Sequence, residues 1–268
     1  MIIDFHCHVF PDGLAQKASD NLARYYGVPM PFAGTVKELT QDVSETGVEK
    51  CVIHSTATKA SQVESINNFI AALNGGAFLG FGTLHPDFDS VLKEAGRMKA
   101  LGLHGIKLHP DFQGFYVDSD KALRLFEAAQ KCGLPVLVHL GDEKETFSSP
   151  RRMARVLARF PDLTVIGAHM GGYMRWDEAQ EYLYGTNIYF DTSSTMRVIG
   201  PEKMAELIRR HGADKVVFGT DFPMESHRTC LAQLEQLGLS DEEKDKVLFQ
   251  NAAKILKISL PKKEEAPC

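Results

Sequence analysis

The chain has 268 residues, of which 44% are hydrophobic, and a formal net charge of −5 at pH 7. That length and apolar content allow a sizeable core, and an α/β barrel typically needs about 250 residues in one domain. The mild acidity and scattered basic residues exclude an electrostatic footprint for nucleic acid or an anionic membrane, and no apolar run approaches the roughly 20 residues of a membrane span.

The N-terminus carries no basic region or apolar run of export length, so no signal peptide is expected. The five cysteines (Cys7, Cys51, Cys132, Cys230 and Cys268) are odd in number and widely spaced, without a C-x-x-C. They read as reduced thiols, and the expected location is the cytoplasm.

Residues 1–8 read as a first strand, apolar from the start and ended by Pro11-Asp12-Gly13. Strand periodicity puts Asp4, His6 and His8 on one face and Ile3, Phe5 and Cys7 on the other. The segment at about 11–34 is too long for a turn; it reads as a loop insertion with a short helix over 14–26. Helix 35–45, strand 51–54, helix 61–73, strand 78–85 and helix 91–101 follow, punctuated by Gly47, Gly75-Gly76, Pro86 and Gly102. Strand 105–109 stops at Pro110, and the pentapeptide Leu-His-Pro-Asp-Phe closes both this strand and the one before it. Helix 119–132, strand 135–139, a helix opened by Ser149-Pro150, strand 163–169, helix 175–184, strand 187–191, helix 201–211 and strand 216–221 complete the alternation. Helices 226–237 and 241–256 end the fold, the last opened by a capping box from Ser240 to Glu243. Residues 260–268 are expected to be a disordered tail.

Eight strands alternate with helices, and the strands are continuous apolar runs, as in a parallel sheet covered on both faces. The expected fold is α/β, a single (β/α)8 TIM barrel over 1–259. A doubly wound open sheet is the competing architecture, but no G-x-G-x-x-G follows the first strand.

Of the 10 histidines, His6, His8, His54, His85, His109, His139 and His169 all fall at or beside the C-terminal end of an expected strand. In a parallel barrel that face carries the chemistry. His6 and His8 alone would read as two polar residues at a strand exit; in this company they read as metal ligands. Asp221, ending the apolar run Val217-Phe218-Gly219-Thr220-Asp221, is either a turn cap or a ligand, and the nearby histidines favour the ligand. Strand parity puts His109 on the face of Lys107 and Gly105, His169 with Gly167, and Asp221 with Gly219, the glycines leaving room beneath the polar groups. For His54 and His85 a hydrogen-bonded place on the rim is favoured over the pocket. Tyr25-Tyr26 in the insertion reads as a lid or as packing on the rim.

Together Asp4-x-His6-x-His8, the run from Pro135 to His139, His169 and Gly219-Thr220-Asp221-Phe222-Pro223 resemble the amidohydrolase superfamily. The pattern is closest to its amidohydrolase-2 branch, which includes aminocarboxymuconate-semialdehyde and resorcylate-type decarboxylases, and Asn251 to Leu256 resembles that branch's last helix. The resemblance implies one divalent metal held by His6, His8, His139 and Asp221, with His169 beside it as acid or base. Three imidazoles and a carboxylate suit Zn²⁺, with Mn²⁺ or Fe²⁺ as alternatives. Binuclear relatives place a carboxylated lysine or a glutamate on strand four, where Lys107 stands; one metal is expected, with Lys107 and His109 contacting substrate. A core lysine paired to Asp4 or Asp191 is the competing reading of Lys107. Arg175 and Arg197, on loops after strands six and seven, are candidates to clamp a substrate carboxylate.

The expected function is a metal-dependent hydrolase using a metal-activated water on a small amide, ester or lactone. The alternative is a non-oxidative decarboxylase or hydratase acting on a small unsaturated or aromatic carboxylate. A non-catalytic metal-binding protein is disfavoured, since a structural site needs no additional base such as His169. The expected partner is a small molecule, with no nucleic acid and no membrane; self-association into a homo-oligomer is left open.

Overall fold

The computed structural model describes residues 1–259, so the expected tail lies outside the described residues. Eight parallel strands follow one another around the sheet in chain order: β1 (Ile3–His8), β2 (Lys50–His54), β3 (Phe78–Thr83), β4 (Gly105–Leu108), β5 (Val136–Val138), β6 (Val165–Gly167), β7 (Tyr189–Asp191) and β8 (Val216–Val217). Backbone bonds from Phe5 N–H to Phe218 O, Asp221 N–H to His6 O and His8 N–H to Phe222 O join the first strand to the chain leaving the last. The result is a TIM barrel, as the alternation predicts.

Helices α1 (Asp12–Tyr26), α2 (Val36–Val43), α3 (Val63–Leu73), α4 (Val91–Ala100), α5 (Pro110–Gln113), α6 (Asp120–Cys132), α7 (Pro150–Arg159), α8 (Trp176–Tyr182), α9 (Met196–His211), α10 (His227–Glu235), α11 (Asp241–Asp245) and α12 (Asn251–Leu256) fill the connections. Local chemistry starts several of them. Thr35 and Ser240 make reciprocal capping boxes with Glu38 and Glu243, and Ser119 and Ser226 cap α6 and α10. The expected last helix is interrupted by a π-helical stretch at Lys246–Gln250 between α11 and α12. None of the described helices is long and apolar enough to cross a membrane.

Two buried clusters divide the sheet's faces. Ile3, Phe5, Val52, Leu79, Phe81, Leu137, Ile166 and Val217 fill the barrel interior, closed at one end by Ala252, Ile255 and Leu256 of α12. Cys7, Cys51, Ile53, Ile106, Val136, Phe190 and Val216 belong to the larger cluster between sheet and helices. Fully burying a side chain such as Phe81 or Ile53 is worth about 1.5–3 kcal/mol, so both faces of each strand favour this closed form.

The inner cluster corrects one expectation. Ile3 and Phe5 face inward, yet His6 and His8 do too, because the β1–β2 register shifts between Asp4 and Cys7. This β-bulge breaks the alternation and re-aims His6. Asp4 therefore does not share a face with His6 and His8. Its Oδ2 lies 2.8 Å from Nε2 of His227, on α10 outside the barrel.

Candidate metal centre and its surroundings

Three side-chain donors, two from β1 and one from the segment leaving β8, converge at the C-terminal mouth of the barrel. His6 Nε2 and His8 Nε2 are 3.2 Å apart, and Asp221 Oδ1 lies 3.2 Å from the first and 3.4 Å from the second. Donors around one ion at about 2.1 Å stand roughly 3.0–3.4 Å from one another, so the triangle already has the dimensions of a metal site. Gly219 makes this possible, since a Cβ there would come within 3.1 Å of His6 Cβ and 3.3 Å of Asp191 Cβ. Asp221 itself adopts a left-handed backbone conformation, φ 63°, that aims its carboxylate inward.

The imidazoles are held by partners behind them. His6 Nδ1 is 2.8 Å from Asp191 Oδ2, which holds its proton there and leaves the Nε2 lone pair facing the centre. Asp191 Oδ1 accepts in turn from the backbone N–H groups of His169 and Ser193. Opposed by burial but outweighed by His6 and His169, the Asp191 carboxyl is held well below its usual range.

His139 and His169 form a second pair. Nε2 of His139 donates to Gly141 O at 2.7 Å, and Nδ1 of His169 faces Ser193 O at 3.1 Å. With both outer nitrogens committed to carbonyls, the remaining lone pairs, His139 Nδ1 and His169 Nε2, oppose each other at 3.0 Å. Burial lowers both imidazoles, His169 to about 4, so the pair is neutral at pH 7 and presents two lone pairs to any cation placed between them. His169 reaches this position through an αL backbone, φ 58°, that breaks strand parity. Gly167 accordingly faces outward against Leu140, Ile188 and Phe190 rather than leaving room beneath His169, as parity predicts.

Lys107 is fully buried, with Nζ 2.9 Å from His6 Nε2. Burial pushes it down to about 8, against the pull of Asp191 and Asp221. His109 stacks on His139 at 3.8 Å and faces the hydroxyl of Tyr26 at 3.2 Å. Arg175 and Arg197 are held away from the donors: Arg175 Nε donates to Asp142 O at 2.8 Å, and Arg197 Nε lies 3.5 Å from Glu225 Oε1. His85 keeps to the rim, its Nδ1 accepting from Asp87 N–H. His54 does not: it is fully buried beside His8, with a ring-centroid separation of 4.4 Å.

Helix α1 covers the mouth. Tyr25 donates to Asp142 Oδ2 at 3.1 Å, and Leu22, Tyr26 and Met30 roof a cavity of about 30 Å³ whose floor includes His8, His139, His169 and Asp221. That is room for one or two waters. Beside it, between α1 and α3, lies a cleft of about 760 Å³ lined by Leu14, Leu22, Ile66, Phe69, Phe112 and His8.

A family model described as Amidohydrolase, of the amidohydrolase-2 type, matches residues 3–258. The chain belongs to the amidohydrolase-2 family. It is an enzyme fold of that family, and no functionally curated protein matches the sequence. Among solved structures it is similar to an uncharacterized TIM-barrel protein from Bordetella bronchiseptica (22% identity, TM-score 0.75, covering 96% of this chain and 98% of that one). It is similar to 5-carboxyvanillate decarboxylase from Sphingomonas paucimobilis (19% identity, TM-score 0.74, 96% and 99% covered). A dihydroxybenzoic acid decarboxylase from Polaromonas sp. JS666, with bound manganese and the inhibitor 2-nitroresorcinol, gives 16% identity and a TM-score of 0.70, with 96% of each chain covered. At these identities the likeness shows the TIM-barrel fold alone.

Asp191 and Ser193 were not singled out from sequence as partners of His6 and His169. The available signal was the carboxylate that ends the apolar run of β7.

Proposed function

We propose that this amidohydrolase-2 protein is a metal-dependent, non-oxidative decarboxylase of a small aromatic or unsaturated carboxylate. The observation that carries the reading is the wall over the donors: Tyr26, Phe112, Tyr173 and Leu22 face His8, His139, His169 and Asp221 across one small chamber. That chamber takes only the polar end of a substrate, and a flat unsaturated acid would lie in the adjoining cleft of about 760 Å³, whose lining shares His8, Leu22, His109 and Phe112 with it. The decarboxylases among the similar structures support the same choice over the hydrolase expected from sequence alone.

The donor chemistry fits a divalent ion, with His6, His8 and Asp221 as three ligands and the inward lone pair of His139 as the fourth. Mn²⁺, as bound by the Polaromonas enzyme, and Zn²⁺, expected from the donor types, are the candidates. Such an ion supplies Lewis acidity toward substrate oxygens. The chain's own part is to move a proton. Loss of CO₂ leaves an electron pair on carbon that must be protonated; His169 Nε2, unprotonated at rest, would take a proton from solvent as the substrate enters and pass it to that carbon as CO₂ leaves. The α1 roof excludes bulk water from that exchange.

The test is to incubate the Mn²⁺-loaded protein with 2,6-dihydroxybenzoate and 5-carboxyvanillate and follow CO₂ release, with lactones and amides in parallel. Turnover of a carboxylate, falling about 10²–10⁴-fold in His169→Asn at unchanged metal content, is the expected outcome. Hydrolysis of a lactone or amide with no CO₂ released overturns the decarboxylase reading and restores the hydrolase.

A further inference from the structure

His54 is the last residue of β2, paired in register with His8 of β1, and is fully buried. Its ring stands edge-on to His8 at 4.4 Å and tilted to His6 at 5.1 Å. One of its nitrogens lies within 4.8 Å of a ring nitrogen of each. Yet neither Nδ1 nor Nε2 of His54 has a hydrogen-bond partner among the described residues. Four other imidazoles of the mouth are engaged by groups behind them or above them: His6 by Asp191, His109 by Tyr26, His139 by Gly141 and His169 by Ser193. Leaving one buried polar group unsatisfied costs about 1–3 kcal/mol, and a protein carries that cost where something other than its own chain completes the group.

We infer that His54 is a further ligand of the ion held by His6, His8 and Asp221, a role no motif or family match assigns to it. The inference rests on the proposed ion at those three residues. Its chemistry is that of a neutral imidazole lone pair directed at a first-row divalent cation, which favours borderline ions such as Zn²⁺ or Co²⁺ over Mg²⁺ or Ca²⁺. The neighbouring strand holds it in place, because His8 and His54 sit at the same level of the β1–β2 ladder. It differs from a rim histidine, which would hold a proton toward water or a loop carbonyl.

Full-length protein stripped with chelator is titrated with Co²⁺ and with Mn²⁺, comparing wild type with His54→Phe and His54→Gln. The expected result is at least a tenfold weaker Kd in both variants, of the order seen on removing groups that support a metal site, with an altered visible spectrum of bound Co²⁺. The metal-free His54→Phe protein should melt no lower than wild type, since the unsatisfied group is gone. If that variant fails to fold, His54→Gln carries the comparison alone. Unchanged affinity and spectrum in the variants overturn this inference while leaving the ion at His6, His8 and Asp221 standing, as does a lowered metal-free Tm with unchanged affinity. Wild-type protein that takes up neither ion overturns both.

Discussion

With Asp191 Oδ2 2.8 Å from its Nδ1, His6 is held in the tautomer whose Nε2 lone pair faces the centre. An amide at position 191 can donate to Nδ1 instead, which moves the ring proton to Nε2 and removes that lone pair. Asp191→Asn is therefore expected to weaken divalent-metal affinity by about 10–100-fold with the barrel intact. Competition with a fluorescent chelator measures it, and an affinity within twofold of wild type would show that the tautomer is set elsewhere. At this scale the sequence announces the donors but not their supports. His6, His8 and Asp221 are legible as metal-type residues at strand exits. Asp4 and Gly167 are misread because strand alternation assumes an unbroken pleat. The bulge in β1 and the αL turn at His169 break it, and neither leaves a mark in residue type. His54 looks like any polar residue at a strand end until both of its nitrogens are seen to lack partners.

Among the elements, β1, α2 and α10 meet at one imidazole. His227 Nε2 lies 2.8 Å from Asp4 Oδ2 and its Nδ1 2.6 Å from Asp42 Oδ2, with all three side chains largely or wholly buried. Burial alone would lower His227, but the two carboxylates outweigh it and raise it to about 12. A raised value means that the folded protein keeps a proton which the unfolded chain gives up above about pH 6.5. The stabilisation is thus complete below pH 6.5 and declines as pH rises toward 12, by at most about 1.4 kcal/mol per pH unit. Wild-type Tm is expected to fall between pH 7 and 10 more steeply than that of His227→Gln, as read by thermal melts in matched buffers. Parallel slopes would mean the imidazole is neutral in the fold. Element boundaries were legible where chemistry marks them, as at the capping serines and threonine. They blurred at strand ends, where Asp221 and His139 leave the ladder to serve the mouth, and at α5, a four-residue helix that Pro110 starts and Gly114 stops.

For the molecule as a whole, the closed barrel was the most legible feature, because eight apolar runs separated by helices leave few other ways to bury both faces of every strand. What periodicity does not reveal is how α1 sits across the mouth, since that depends on long-range contacts such as Tyr25 with Asp142. If an ion binds the folded chain and not the unfolded one, it stabilises by about 2.7 kcal/mol at a free concentration of 100 times Kd. For a chain of this size that corresponds to a rise of several degrees in Tm on adding Mn²⁺ or Zn²⁺ to chelator-treated protein. Calorimetry with and without the ion checks it, and a Tm indifferent to both metals would speak against the centre.

The seam between β1 and the end of β8 has a consequence for biosynthesis. Asp4 and Thr220, hydrogen-bonded across it, are separated by 216 residues, and His6 and Asp221 beside them contribute to one site. During translation the two histidines emerge early, but the carboxylate that completes their triangle follows only after seven further strands have been made. Until then the ribosome-bound chain carries only His6 and His8 of the three. If the proposed ion is held by this triangle, its capture waits until the ring has closed, so binding of the ion would report closure of the barrel.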